Sequence, residues 1–466
     1  MLMKANLKLK YSVSLAVSSL HLVVSYLIFS RVIIPGDLYY ISFDPLSRFF
    51  LLILSNAYFW VTLNSYGYLN RSMPFDTDES KKLFYGLLNL YLAANSLALL
   101  SNHWGIYWVA LEATTLCTAP LIYYYRSRQS LEAMWKYLFV VSVGIAFAFM
   151  GILFLALSSR GVSGVQNTLF FADLIREAAK LNPIWLKAGF IFIFVGLCTK
   201  AGIAPMHPGE VDAVSNSPSP VAALMSATLN ATALMGIIRI LQIVAPTQIS
   251  GFARTVMIAG GVLSLFVAFF YLFKTGNYKR MIAYSSVEHY GLIVIGIASG
   301  GAALFGAFLQ LLYNSLAKTS LFFMAGNVHT HYHSREIADI SGMKKKLPWT
   351  GMLFFMSFLA VAAMPPFGIF FSELMIFQGL FEKGHTALLI LLLVMLLFVF
   401  IGLSRLVFRM LFNPAAEDEQ PERGEKAGLS HYSAAILLCV LAALGLFMPQ
   451  ELYNTVREIA VMLDYK

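Results

Sequence analysis

The fold class that this sequence predicts is an all-α polytopic membrane protein of about thirteen transmembrane helices, and three observations predict it. Of 466 residues, 59% are hydrophobic and 12% charged, with a mean hydropathy of +0.72. The apolar residues run in stretches of about twenty, the length a helix needs to cross a hydrocarbon core of about 30 Å. The cations collect in the short segments between those runs, where they act as determinants of topology. A formal net charge of +9 therefore points to membrane orientation and not to nucleic acid.

In chain order, Lys4, Lys8 and Lys10 precede an apolar run over 11–34, too long for a signal-peptide core and closed by no small-residue cleavage site, which reads as an uncleaved first span. Further spans are expected at 45–66, 83–101, 104–124, 134–158, 184–205, 219–245, 254–273, 280–298, 302–328, 349–383, 385–412 and 431–449. Residues 1–82 then hold the first helices, 83–245 and 254–412 two similar halves, and 413–466 a cytoplasmic loop with a C-terminal span. The segment 166–181 is too polar to span and is expected to lie as a helix at the outer surface. Counting alternate loops puts Arg71, Lys81, Lys82, Arg126, Arg128, Lys274, Lys279, Arg280, Arg335 and Lys344–Lys346 on one side with the N-terminal lysines, which predicts an N-terminus inside and a C-terminus outside.

Two spans carry their own interruption. Lys200 sits in the apolar sequence IFVGLCTKAGIAP, followed by Pro205 and Pro208, and a second break falls at Pro365 and Pro366 in AAMPPFGIFFSELM. Proline removes a backbone donor and kinks a helix, and irregular backbone survives at membrane depth only where protein or a watery cavity receives it. The corner and helix around 122–141 return at 271–294, a weak internal repeat. Broken helices in corresponding places of two halves point to an ion path between inverted repeats.

Ionisable residues within spans are costly and mark function. Glu112, Lys200, Lys318 and Glu373 are the candidate relay, alternating carboxylate and ammonium groups that trade a proton. For Glu288, beside His289 and near a helix start, a structural or interfacial role stands at least level with a place in the relay. Candidate relay or water-ordering positions are Glu132 and Lys136, a favourable pair four apart, together with His207, Ser226, Asn230, Gln310 and Asn314. His329, His331 and His333 are expected in a loop and not at a metal. Cys117, Cys198 and Cys439 stand singly in apolar runs, and no phosphate loop or dinucleotide fingerprint is present, so no cofactor is expected.

The stretches WVALEATTL, SLEAMWKY, TKAGIAPMH, SPSPVAALMSA, KRMIAYSSVEHYGL, NSLAKTSLFFMAGNV and MPPFGIFFSEL resemble the proton-translocating antiporter-type membrane subunits of complex I, Mrp antiporters and membrane-bound hydrogenases, with hydrogenase-4 component F the most similar branch. The resemblance covers about residues 40–412 and implies two inverted five-helix repeats, each with a broken helix and half of a proton channel. It gives Glu112 the role of the family's essential glutamate, Lys200 its broken-helix lysine, Lys318 its central lysine and Glu373 its terminal channel residue. Gln310 and Asn314 stand where the family usually has histidines, Glu210-Val211-Asp212 replaces Leu-Pro-Asp, and one N-terminal helix is missing.

The function implied is H⁺ translocation, with Na⁺ the other ion to weigh, by a non-catalytic subunit of a prokaryotic cytoplasmic-membrane complex. Its partners would be other membrane subunits, a peripheral redox arm and the lipid bilayer. An inorganic-carbon uptake complex and an Mrp-type antiporter are the alternatives.

Overall fold

The computed structural model describes residues 7–36, 38–72, 77–162, 169–413 and 425–463, and among them only isolated bridges interrupt a helical architecture. The helices are α1 (Leu7–Phe29), α2 (Pro45–Ser72), α3 (Asp78–Leu100), α4 (Trp104–Ile122), α5 (Arg128–Ser158), α6 (Phe171–Arg176), α7 (Pro183–Ala201), α8 (Pro208–Asn216), α9 (Ser219–Leu224), α10 (Asn230–Val244), α11 (Ser250–Lys274), α12 (Tyr278–Ser299), α13 (Gly301–Tyr332), α14 (Met343–Lys346), α15 (Pro348–Val361), α16 (Gly368–Glu382), α17 (Thr386–Phe412), α18 (Leu429–Leu446) and α19 (Gln450–Leu463). A π-helical turn, Met225–Leu229, joins α9 to α10.

Among the described residues, 11 helices are long and apolar enough to cross a membrane. The two remaining expected spans fall on α13, which carries Gln310, Asn314, Lys318 and Asn327 along its length, and on the pair α15 and α16. The first break leaves α7 at Gly202, in the left-handed region at φ 71°, and resumes at α8; the second has Ala363 at φ 52° and resumes at α16. A cis prolyl bond follows each, at Ala204–Pro205 and Pro365–Pro366. Ala204 N–H donates to Ser264 Oγ at 2.9 Å and Pro205 has no N–H, so the Lys200 and Ala201 carbonyls lose the donors an unbroken helix would supply.

The bundle centres on α12, α13 and α9–α10, which are almost wholly buried. Small residues seat both broken helices against it. A Cβ on Gly196 of α7 would come within 2.5 Å of the Gly144 carbonyl of α5, and one on Gly306 of α13 within 2.6 Å of the Ser372 carbonyl of α16. Close backbone approach of this kind is how helices pack where lipid offers no hydrophobic drive.

Several expectations change. Instead of a surface helix at 166–181, the described part holds the short α6 and a 3-10 turn at Ala178–Lys180, because Phe171 and Leu174 anchor the segment in the bundle; 166–168 lie outside the described residues. His329 and His331 belong to the last turn of α13, and His333 ends that helix in the left-handed region. After α18 comes an unexpected helix, α19, whose Leu452, Val456, Ile459 and Leu463 recur at helical spacing and bury one face. Most of the hydrophilic loop at 415–426 lies outside the described residues, but its end is placed. Glu425 accepts from the Trp349 and Thr350 amides at 2.8 and 3.0 Å, at the start of α15, and pairs with His431 Nε2 at 2.9 Å.

Two predictions follow from this packing. Gly196→Leu should destabilise the chain by about 1–3 kcal/mol or more, as overpacking does, whereas Gly86→Leu, with open space at its Cβ, should not; denaturant titration in detergent reads both. Burial pushes the Glu425 carboxyl up, but hydrogen bonds from His431 and Thr350 outweigh it and hold the group below the usual carboxylate range. A depressed folded-state pKa means that the cap is intact above the ordinary value of about 4.3 and lost as pH falls through the lowered one. Hydrogen exchange at Trp349 and Thr350 should therefore be slow at neutral pH and accelerate in acid, and Glu425→Ala should remove the neutral-pH protection; equal protection in parent and variant would refute the cap.

Candidate functional site

Lys200 occupies the last turn of α7 and is fully buried. Its Nζ donates to the Leu111 carbonyl of α4, to Thr114 Oγ1 at 2.8 Å and to Thr115 Oγ1 at 2.7 Å. Thr115 in turn donates to Glu112 Oε2 at 3.3 Å, and Ser142 donates to Glu112 Oε1 at 3.2 Å. Glu112 and Lys200 are thus joined through a hydroxyl and not as a direct ion pair. Glu112 is only half-buried, while its helix neighbours Val109 and Leu116 are 58% and 62% exposed.

Beyond the break stands Glu210, fully buried on α8. Asn230 Nδ2 donates to its Oε1 at 3.1 Å, and its Oε2 lies against the Gly202 backbone with no hydrogen-bond partner in the protein. Asn230 Oδ1 and Ser226 Oγ are likewise buried and unpartnered. Ordered water is the usual partner of such atoms. The π turn, Met225–Leu229, contains Ser226 and ends immediately before Asn230, an irregularity frequent at functional sites.

Lys318 on α13 repeats the seating of Lys200, donating to the Ile282 carbonyl of α12 at 3.0 Å and to Ser285 Oγ. One turn earlier on α13, both amide atoms of the buried Asn314 lack partners. Two turns earlier, Gln310 Nε2 donates to His289 Nδ1 at 3.2 Å and to Glu373 Oε1 at 3.1 Å, while Ser372 Oγ donates to Gln310 Oε1 at 3.0 Å. His289 Nδ1 is also 3.7 Å from Glu288 Oε2 and 3.9 Å from Glu373 Oε1. Buried acids, bases and hydroxyls therefore run from α4 through α7, α8, α13 and α12 to α16. Such a row can pass a proton by alternate bonding at each group.

Residues 101–401 match the NADH:quinone oxidoreductase/Mrp antiporter membrane family. The chain belongs to that family. This antiporter-type subunit is 32% identical over 354 residues to a hydrogenase-4 component F homolog of Methylacidiphilum infernorum, covering 75% of this chain and 74% of the relative. It is 30% identical over 365 residues to NADH-quinone oxidoreductase subunit N of Desulforudis audaxviator, covering 75% and 71%. Its fold is similar to a chain of an archaeal membrane-bound sulfane sulfur reductase, with TM-score 0.86, 21% identity and coverage of 97% and 92%. It is also similar to one in the Mrp complex from Dietzia, with TM-score 0.84, 18% identity and coverage of 98% and 93%.

Within this antiporter-type subunit, the structure brings Gln310 and Glu373 into direct contact and sets Asn230 on Glu210, while Ser226 is buried in the π turn one helical turn before Asn230. Glu132 and Lys136 do not join the row. They pair at 2.6 Å on the surface, where Lys136 lies 3.7 Å from Asp212, itself bonded to Arg280 at 2.9 Å, around an open polar cup of about 310 Å³. His207 is buried under the rings of Tyr271 and Tyr284, its Nδ1 unpartnered. Glu288 is mid-helix and buried, not interfacial. Sequence reading passed over Glu210, whose neighbours Pro208, Gly209 and Asp212 look like a loop, and His289, whose helix opens with the polar Tyr278-Lys279-Arg280. The one available signal was their retention between long apolar runs.

Proposed function

We propose that the chain is a proton-conducting membrane subunit of a multi-subunit energy-converting complex of the hydrogenase or complex I kind. The observation that carries this reading is the row of buried ionisable groups, Lys200, Glu210, Lys318, Glu288, His289 and Glu373, with the half-buried Glu112 at its α4 end. Each lysine donates to a backbone carbonyl and to hydroxyl oxygen, two threonines for Lys200 and one serine for Lys318, so the ammonium is solvated by the protein. Glu210 supplies an acid between the two lysines, and His289 supplies the imidazole that Gln310 and Asn314 lack. Ammonium groups cannot coordinate Na⁺ while charged, which favours H⁺ as the ion.

Glu112 supports a membrane partner. A carboxylate half-exposed between Val109 and Leu116 on a lipid-facing helix is costly unless another subunit covers it. A peripheral redox arm would drive the path. In the cell membrane of a prokaryote, the lysine-rich side is cytoplasmic and the N-terminus inside.

Proton flux into vesicles carrying the assembled complex tests the reading. Lys200→Ala, Glu112→Gln and Glu210→Leu should each lower flux at least about tenfold, the scale of a lost acid–base group, in complexes that still copurify intact. Gln310→Leu with Asn314→Leu should dry the centre and lower flux, while Gln310→His with Asn314→His should maintain it. Parental flux in Lys200→Ala would end the relay reading.

A further inference from the structure

Glu288, His289 and Glu373 come from two helices, yet one donor atom of each lies within 4.8 Å of the others, and all three residues are buried. Zinc bonds nitrogen and oxygen ligands at about 2.0–2.2 Å, so neighbouring ligands of a tetrahedral site stand about 3.3–3.6 Å apart. His289 Nδ1 is 3.7 Å from Glu288 Oε2 and 3.9 Å from Glu373 Oε1, so shifts of a few tenths of an ångström would bring these two edges to that value; the carboxylate–carboxylate edge, within 4.8 Å, closes with them once the Gln310 amide, which bonds both Nδ1 and Glu373 Oε1, turns aside for the ion.

We propose that Glu288, His289 and Glu373 form a binding site for a divalent transition metal of the zinc type. His289 Nδ1 accepts the Gln310 amide hydrogen, so it is the unprotonated nitrogen, the form that ligates a metal, and it faces both carboxylates. The other ring nitrogen, Nε2, is buried and carries the ring hydrogen in this tautomer. Two carboxylates and a neutral imidazole neutralise a divalent ion, which satisfies the cost of burying charge. Each carboxyl that holds a proton gives it up on ligation, and the metal replaces the Gln310 hydrogen on Nδ1. The fourth position falls to water, for which the unpartnered amide of Asn314 lies one helical turn from Gln310.

Glu373 gives the ion its way in, its side chain keeping 11% exposure against 4% for Glu288 and 1% for His289. The sequence conceals the site because its ligands are divided between α12 and α16 and show no metal-ligand spacing. The histidine-rich end of α13, which draws the eye in the sequence, assembles no such group: among the described residues these three are the cluster with ligand geometry.

The inference rests on geometry and not on proton conduction, so binding alone tests it. The full chain in detergent should bind Zn²⁺ at one such site, by titration calorimetry. X-ray absorption should show a first shell with a single imidazole, oxygens otherwise, and no sulfur. His289→Gln and Glu373→Gln should each weaken binding at least tenfold, and His331→Gln should leave it unchanged. Unaltered affinity in a folded His289→Gln would overturn the site. Should that variant not fold, the parental spectrum decides, since a second imidazole or a sulfur ligand would also overturn it.

Discussion

An ammonium group at membrane depth must be solvated by the protein itself, and the architecture follows from that requirement at Lys200. Three acceptors from α4 surround its Nζ, one backbone carbonyl and two threonine hydroxyls. They can reach it because α7 stops at Gly202 and because Gly196 and Gly144 let α7 and α5 lie backbone to backbone. An uninterrupted helix would satisfy its own carbonyls and carry the chain past the site. The interruption frees backbone groups at the depth where the charge is held.

Parts of this arrangement recur, although Lys200 lies on a broken helix and Lys318 on the unbroken α13. In each run of five long helices, α3 to α10 and α11 to α17, the break falls in the fourth. The lysine of each run rests on a carbonyl and hydroxyl of the second, Lys200 on α4 and Lys318 on α12. Gln310 and Asn314 distinguish the second run, since neutral amides stand on the helix face that leads to Lys318. An imidazole is nevertheless present, contributed by α12 through His289, which Gln310 contacts.

Much of this was legible from residue order. Lys200, Lys318, Glu112 and Glu373 declare themselves as charges within apolar runs, and paired prolines mark both interruptions. What residue order does not carry is which side chains meet. Glu210 sits in a segment whose prolines, glycine and aspartate have the composition of a loop, yet α8 returns it to the core against Gly202. Glu132 and Lys136 show the converse, a well-spaced pair that the helix face turns toward solvent. The amphipathic α19 was hidden by its mixed composition, which averages to neither span nor loop.

The π turn at Met225–Leu229 has a consequence for the rest of α10. A π turn is one residue inserted into an α-helix, and removing one residue rotates everything beyond it by about 100°. Downstream on α10, Arg239 grips Asp44 with two nitrogens at 2.5 and 2.8 Å and also bonds Ser47 and Gln242. Deleting a residue from the turn would swing that guanidinium off its carboxylate and leave both charges inside the bundle without each other. The irregular turn and the Arg239–Asp44 pair are therefore coupled through the rotation of α10, and losing the extra residue would cost the ion pair as well.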